Sequence, residues 1–377
     1  MNTTVIFWFD RPPKVEKGAF NEFTKLWNGN SYYVFYYDSK QERKNAHWDD
    51  EDFGNAKVVT LYDKSNIIQF VYNFINNHQN SIHILNGYNT PIVRLIKPLI
   101  FKSGLKALLY TERPAIVGGF VERLIRRVYL KYKYSKLVRD YHPFVKAILS
   151  LGIQGMKRFE SYGLANNEIY NFMYCPPLEN LSLKRSITYH QPVKFLYVGR
   201  FYYKTKGTDI LMKATNYLKG EWQLDMVGGY GKDAEEIKSQ IEKDSHINYI
   251  GIWDSHQVVK NMQKYDVVIV PSKADGWNLI INEAIHAGIA VITSDQAVSH
   301  EVIKKCNGGL IFKSSTPKSL ALQMQKLIDE PELICNFMLN NRLFVKKISD
   351  KTVGRYFYDI VNYEFMGIGT RPSCPWL

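Results

Sequence analysis

The feature that most constrains this chain is a series of six short apolar runs between residues 193 and 312, each followed by a helix-like stretch. The runs cover 193–198, 223–227, 247–250, 266–270, 290–293 and 309–312, and they are nearly continuous in Val, Ile, Leu and Tyr. A strand with one wet face alternates in character, whereas a strand covered on both faces does not. The intervening helix-like stretches are 208–218, 234–243, 255–264, 279–287, 299–304 and 317–329. Such alternation demands crossover connections and a parallel sheet. The expected fold class is α/β, a doubly wound domain of Rossmann type, whose ligands sit outside the carboxyl ends of the strands.

The first half carries the same grammar less cleanly. Strands are expected at 4–9, 32–37, 56–61, 81–85, 106–110 and 147–151, with helices at 20–27, 65–77 and 90–102. Around 176–192 prolines bracket a polar, irregular stretch, which reads as a domain boundary. This divides the chain into 1–187 and 188–350, and 377 residues suit two domains better than one.

Composition narrows the function classes. The formal net charge is +13, so anionic partners are expected: phosphorylated ligands, anionic lipid or nucleic acid. No nucleic-acid reader motif appears, so nucleic acid is not an expected partner. The 26 Tyr, 20 Phe and 7 Trp fit core packing, carbohydrate clefts or a membrane interface. Cys175, Cys306, Cys335 and Cys374 show no metal or redox spacing, which suits a reducing, cytoplasmic compartment. The N-terminus reads as a buried strand, not a signal peptide, and no segment approaches the roughly 18 apolar residues of a membrane span. The acidic run 47–52 contains Asp50 and Asp52 at the spacing of a metal-binding pair, but its polar setting reads as a solvated loop. No resident metal or cofactor is expected.

Chemistry concentrates in 271–295, PSKADGWNLIINEAIHAGIAVITSD. A strand ends at Val270, and a helix begins near Asn278 and closes at Gly288. That helix is apolar nearly all round and reads as buried, with Glu283 in its middle. A buried carboxylate needs a donor, which ribose hydroxyls or a salt bridge would supply. Asp275 lies eight positions earlier at the helix mouth, where it either caps the helix or meets a ligand. The amides of Gly276, Trp277, Asn278 and Leu279 stand at a helix N-terminus, which suits an anion.

A second element, VGRFYYKTKG at 198–207, follows the first strand of this domain. Gly199 permits a tight exit, and Arg200 and Lys206 lie close enough to reach one anion, unless both are simply solvated. The glycines of VGGYGK, Gly228 and Gly229 among them, suit either a close ligand approach or a plain tight turn.

These motifs resemble retaining glycosyltransferase family 4 of the GT-B fold, which reads PS-x-x-E-G-F-G-L, then E-A-x-x-x-G and PVI. Pro271, Ser272, Glu283, Ala284 and Gly288 match, while Asp275 stands for Glu, Trp277 for the Phe and Asn278 for Gly. The resemblance covers about 190–330. It implies two Rossmann-like domains facing across a cleft, with a last segment, 351–377, crossing back to the first domain. It implies that Glu283 binds ribose hydroxyls and that Asp275 meets a donor-sugar hydroxyl. Arg200 and Lys206 would clamp the diphosphate and, as fixed cations, stabilise its departure without metal. The base would sit near Ile252.

On the acceptor side, Asp10 and Arg11 follow the first strand, Lys17 and Gly18 precede the first helix, and Glu112 follows the strand at 106–110. Glu112 is the expected group near the reacting hydroxyl, with a salt bridge to Arg113 as the alternative. Between 123 and 139, cations alternate with Leu, Ile, Val and Tyr at near-helical spacing. That segment is either a solvated helix face or a basic amphipathic helix on anionic membrane, at the inner face of the cytoplasmic membrane. The resulting expectation is a metal-independent hexosyltransferase using a nucleoside-diphosphate sugar and a glycan or lipid-linked acceptor in cell-surface polysaccharide or lipopolysaccharide assembly. The alternatives are a GT-B epimerase, a non-catalytic sugar-nucleotide-binding subunit and a Rossmann oxidoreductase. The last would want G-x-G-x-x-G, which Gly228, Gly229 and Gly231 do not supply.

Overall fold

The computed structural model describes residues 3–38, 52–114, 116, 119–178, 186–313 and 316–377. Residues 47–51 of the acidic run, and 179–185 of the proline-bracketed stretch, lie outside this set. The chain forms two compact units: Met1–Pro177 with Ser349–Pro375, and Leu178–Ile348 with Trp376–Leu377.

The first unit contains β1 (Thr4–Phe9), α1 (Lys17–Leu26), β2 (Ser31–Phe35), β3 (Lys57–Thr60), α2 (Ile67–Asn76), β4 (Ser81–Asn86) and α3 (Pro91–Lys102). It continues through β5 (Lys106–Thr111), α4 (Phe120–Tyr141), β6 (Val145–Leu151), α5 (Gly152–Glu160) and β7 (Ile169–Phe172). Its sheet is parallel, in the order β3-β2-β1-β4-β5-β6-β7. On one face the aromatic residues make the core. Phe7 lies 5.0 Å from both Phe20 and Tyr33, and Phe23 lies 4.7 Å from Phe357. Aromatic pairs at such spacings gain beyond their buried area. Inside the sheet, Trp8 Nε1 donates to His83 Nδ1 at 3.0 Å. His83 Nε2 must therefore carry the proton, and it faces Ser81 Oγ at 3.0 Å. Burial lowers the His83 pKa to about 3.

The second unit contains β8 (Val193–Gly199), α6 (Tyr203–Lys206), α7 (Thr208–Thr215), β9 (Trp222–Gly228), α8 (Ala234–Ile241), β10 (Ile247–Gly251) and α9 (Val258–Met262). It continues through β11 (Val267–Val270), α10 (Leu279–Ala287), β12 (Ala290–Ser294), α11 (His300–Cys306), β13 (Gly309–Phe312), α12 (Pro317–Asp329) and α13 (Glu332–Phe344). Its sheet is also parallel, in the order β10-β9-β8-β11-β12-β13. The order reverses direction between β8 and β11, and a crevice opens at such a switch point. The fully buried Val267, Val268, Ile292 and Val291 explain the unbroken apolar runs: helices cover both faces.

After the second unit's helices, α14 (Asp350–Val361) belongs to the first unit and packs on α1. A Cβ on Gly354 would lie 2.8 Å from the Ala19 carbonyl, so only glycine lets the two helices approach this closely. Among the described residues no helix is long and apolar enough to cross a membrane.

Candidate functional site at the switch point of the second sheet

The strand order places the loop after β8 beside the loop after β11. Among the described residues four polar contacts join them, one of them through the first turn of α7. The Thr205 carbonyl accepts the amides of Lys273 at 2.8 Å and Ala274 at 3.2 Å. Lys206 Nζ donates to Asp275 Oδ2 at 2.6 Å. Lys273 Nζ meets Asp209 Oδ2 at 2.6 Å. Gly207 makes the junction possible: its φ is +66°, and a Cβ there would lie 2.0 Å from the Pro271 carbonyl oxygen.

Lys206 and Asp275 are 22% and 16% exposed at their side chains, so their charges are only partly screened. The sequence reading paired Lys206 with Arg200 against one anion. The structure pairs it with Asp275, while the Arg200 side chain is exposed. The Arg200 backbone is fixed nonetheless, because Tyr197 OH donates to its carbonyl at 2.8 Å. Burial first, and the nearby Asp275 charge second, push the Tyr197 phenol well above its ordinary pKa, which keeps it a donor.

Asp275 does not cap α10. That role falls to Asn278, whose Oδ1 accepts the Ile280 amide at 3.1 Å. Asn278 Nδ2 also donates to Asp275 Oδ2 at 2.8 Å, so one side chain both starts the helix and orients the acid. Ser272 is buried and its hydroxyl lies 3.3 Å from the same Asp275 oxygen. Asp275 therefore receives Lys206, Asn278 and Ser272, a charge-assisted set that fixes the direction of its carboxylate. Trp277 turns inward, 1% exposed, and its Nε1 donates to Asn282 at 2.9 Å. Its ring is core, and only its backbone faces the loop. Leu279 and Glu283 are half-buried, so Glu283 is less enclosed than an all-apolar helix suggested.

Glycines shape the neighbouring strand ends. A Cβ on Gly228 would lie 1.9 Å from the Gly199 carbonyl, and one on Gly229 would lie 2.3 Å from Tyr249 OH. Both have positive φ, 136° and 97°. Gly228 brings backbone to backbone and Gly229 brings backbone against the Tyr249 ring, and the tight-turn reading accounts for their conformation without a ligand. Ile252, just beyond β10, is 67% exposed.

In the first unit the corresponding strand ends carry side chains. Asp10 Oδ1 accepts the Ile92 amide at 2.9 Å at the start of α3. Burial raises the Asp10 pKa against the opposing pull of that amide, Arg94 and Arg11. Arg11 lies 5.8 Å over the Tyr37 ring. Gly18 is buried, its amide donating to the Cys175 carbonyl at 2.9 Å. A Cβ there would lie 2.7 Å from that oxygen, so Gly18 serves packing. Glu112 is exposed and accepts a short hydrogen bond from Tyr174 OH, while Arg113 donates to Gln154. Sequence reasoning missed Glu16. It is 7% exposed, its carboxylate accepts from Asn86 Nδ2 at 3.4 Å, and burial raises its pKa to about 7. Nothing local marks it, because its burial comes from long-range packing.

The architecture, two parallel α/β units, is the GT-B fold. The structure of Anabaena Alr3699/HepE in complex with UDP superposes with a TM-score of 0.72 over 96% of this chain and 100% of that one, at 13% identity. Within that fold, residues 182–343 match the family model described as Glycosyl transferases group 1. An uncharacterized glycosyltransferase of Methanocaldococcus jannaschii, MJ1178, is 28% identical over 156 residues, 41% of this chain and 43% of the relative. The N,N'-diacetylbacillosaminyl-diphospho-undecaprenol alpha-1,3-N-acetylgalactosaminyltransferase of Campylobacter jejuni is 24% identical over 135 residues, 36% of this chain and 35% of the relative. The chain thus spans less than half the length of both relatives.

Proposed function

We propose that the chain is a retaining glycosyltransferase of hexosyltransferase type, which moves a sugar from a nucleoside-diphosphate sugar without a metal. The observation that carries this reading is the 2.6 Å contact between Lys206 and Asp275 at the switch point. It sets a half-buried cation and an oriented acid side by side, where a phosphate and a sugar hydroxyl of one donor would compete for them. On donor entry Lys206 swings to the diphosphate with Arg200, and Asp275 accepts a sugar hydroxyl. Asn278 and Ser272 hold the Asp275 carboxylate in place throughout. The N-terminus of α10, with the amides of Gly276, Trp277 and Leu279, adds its partial positive charge toward the distal phosphate. Gly199, Gly228 and Gly229 keep side chains off the diphosphate. Glu283 takes the ribose hydroxyls and Ile252 lies beside the base. As the sugar leaves, charge grows on the phosphate, and the two cations stabilise it most at that moment. The departing phosphate takes the acceptor proton on the same face of the sugar.

The acceptor reading rests on the first unit and is a glycan or lipid-linked saccharide, handled by Asp10, Arg11 and Glu112, with Gly18 reduced to packing. The Campylobacter jejuni relative, whose name includes a diphospho-undecaprenol saccharide, supports a lipid-linked acceptor and a place in cell-surface glycan assembly. The test is a panel of UDP-, GDP-, ADP- and TDP-sugars, scored for release of nucleoside diphosphate with and without EDTA. EDTA-resistant release from one donor is the expected result. Binding of NAD with no response to any sugar nucleotide would overturn the reading.

A further inference from the structure

Helix α4 differs from every other long helix among the described residues in what it exposes. Phe120, Leu124, Ile125, Val128, Tyr129 and Tyr132 are each between 55 and 78% exposed. At roughly 100° per residue they share one half of the helix circumference and form a stripe about 18 Å long. The helix is held by its C-terminal half, while residues 120–129 are exposed on every side. Leu130 and Val138 are buried, and the Tyr134 ring sits 5.0 Å from Tyr88 and 5.3 Å from Tyr162. The stripe therefore lies on the half of the helix that projects from the core of its own unit.

Its charge is as one-sided as its apolarity. The helix carries seven cations, Arg123 to Arg139, against Glu122 and Asp140. Glu122 is already committed, its Oε2 accepting the Gly119 amide at 3.0 Å. On the helical wheel Arg127 and Lys131 border the stripe along one edge, and Lys133 and Lys136 along the other. Pairing with a second copy would bring these cations against their own kind, which is unfavourable. With seven cations the helix is also barred from crossing a bilayer. An apolar stripe between two cationic borders matches a surface that is anionic outside and apolar just beneath.

We infer that α4 is an interfacial helix that docks the first unit on an anionic lipid bilayer. Phe120, Leu124, Ile125, Val128, Tyr129 and Tyr132 enter the acyl boundary, and the bordering lysines and arginines rest on headgroup phosphates. The inference is independent of the donor site and makes a lipid-linked acceptor accessible to a chain with no membrane span among its described residues.

The test is sedimentation of the full chain with vesicles of phosphatidylcholine alone or mixed with phosphatidylglycerol. Wild type should bind the mixed vesicles, and raised salt should weaken that binding. The triple variant Leu124→Glu, Ile125→Glu, Val128→Glu should lose at least about a hundredfold in affinity. Arg127→Glu with Lys131→Glu should lose at least about twentyfold. All three residues of the triple variant are exposed, so its thermal midpoint should match wild type, and its donor hydrolysis in solution should be unchanged. A failed donor reading would leave vesicle binding intact, and a failed membrane reading would leave donor hydrolysis intact. No binding by wild type, or equal binding by the triple variant, overturns the inference. So does a lipid-free wild-type dimer that the triple variant dissociates, since the stripe would then serve a second copy.

Discussion

The two sheets share a strand order around their switch points, yet their carboxyl ends are furnished differently. The second unit presents backbone there: Gly199, Gly207, Gly228, Gly229 and Gly231 all have positive φ. The first also has positive-φ glycines there, Gly87 and Gly152, but sets side chains beside them, among them Asp10, Asn86 and Glu112. In the proposed function the second unit's backbone amides meet the diphosphate of the donor, and a position tied to another backbone tolerates little change. Side chains discriminate, and can be exchanged without moving the chain.

The largest expected effect breaks the second unit's chemistry and leaves its fold alone. Lys206→Ala should lower kcat/KM for donor hydrolysis by about 100- to 1,000-fold, the usual cost of losing one group that stabilises charge in the transition state. A loss under threefold would remove Lys206 from the donor site.

A comparable effect on stability separates the two glycine classes. Gly228→Ala forces a Cβ to 1.9 Å from the Gly199 carbonyl and should cost about 3 kcal/mol or more. Gly104→Ala in the first unit meets nothing within 4 Å and carries only its φ of +67°, so about 1 kcal/mol is expected. Urea denaturation of both variants compares them directly, and equal costs would refute the backbone-contact argument.

The first unit should answer to pH instead. The folded state raises the Glu16 pKa from 4.5 to about 7, so it binds the proton more tightly than the unfolded chain does. The stability this confers is complete below about pH 4.5 and is lost as pH rises through 7. Glu16→Gln should therefore gain up to about 3 kcal/mol on wild type at pH 8, with the difference fading at pH 4.5. A difference independent of pH would show that Glu16 is not the titrating group. His83 acts in the opposite sense, because its depressed pKa makes stability fall as pH drops below 6.5.

The smallest effect concerns Asn278. Replacing it with Ala removes a cap and should cost about 1 kcal/mol, with a weaker donor interaction from a less well oriented Asp275. Thermal melts and donor titration separate the two consequences, and an unchanged melt would deny the cap.

Much of this was legible in the residues. The runs at 193–198, 223–227, 247–250, 266–270, 290–293 and 309–312 lie within or overlap β8 to β13 because burial on both faces requires unbroken apolar stretches. Short elements escaped. β7 has four residues, and α13 follows α12 with one proline and its neighbour between them, so neither shows a separate period. Lys206 and Asp275 stood out as a cation and an acid at strand ends. Their contact did not, nor did the retreat of Trp277 into the core or the burial of Glu16.

The amino-acid sequence by itself determined where each strand stops and which residues stand there, because periodicity and glycine placement are local properties. Which strand ends become neighbours was decided only by the tertiary structure. β8 lies beside β11 although 67 residues separate Gly199 from Val267, and that adjacency alone joins Lys206 to Asp275. Hydrogen-bond ladders between strands leave no period along the chain, so the partner across the crevice can be read from the fold and from nothing shorter.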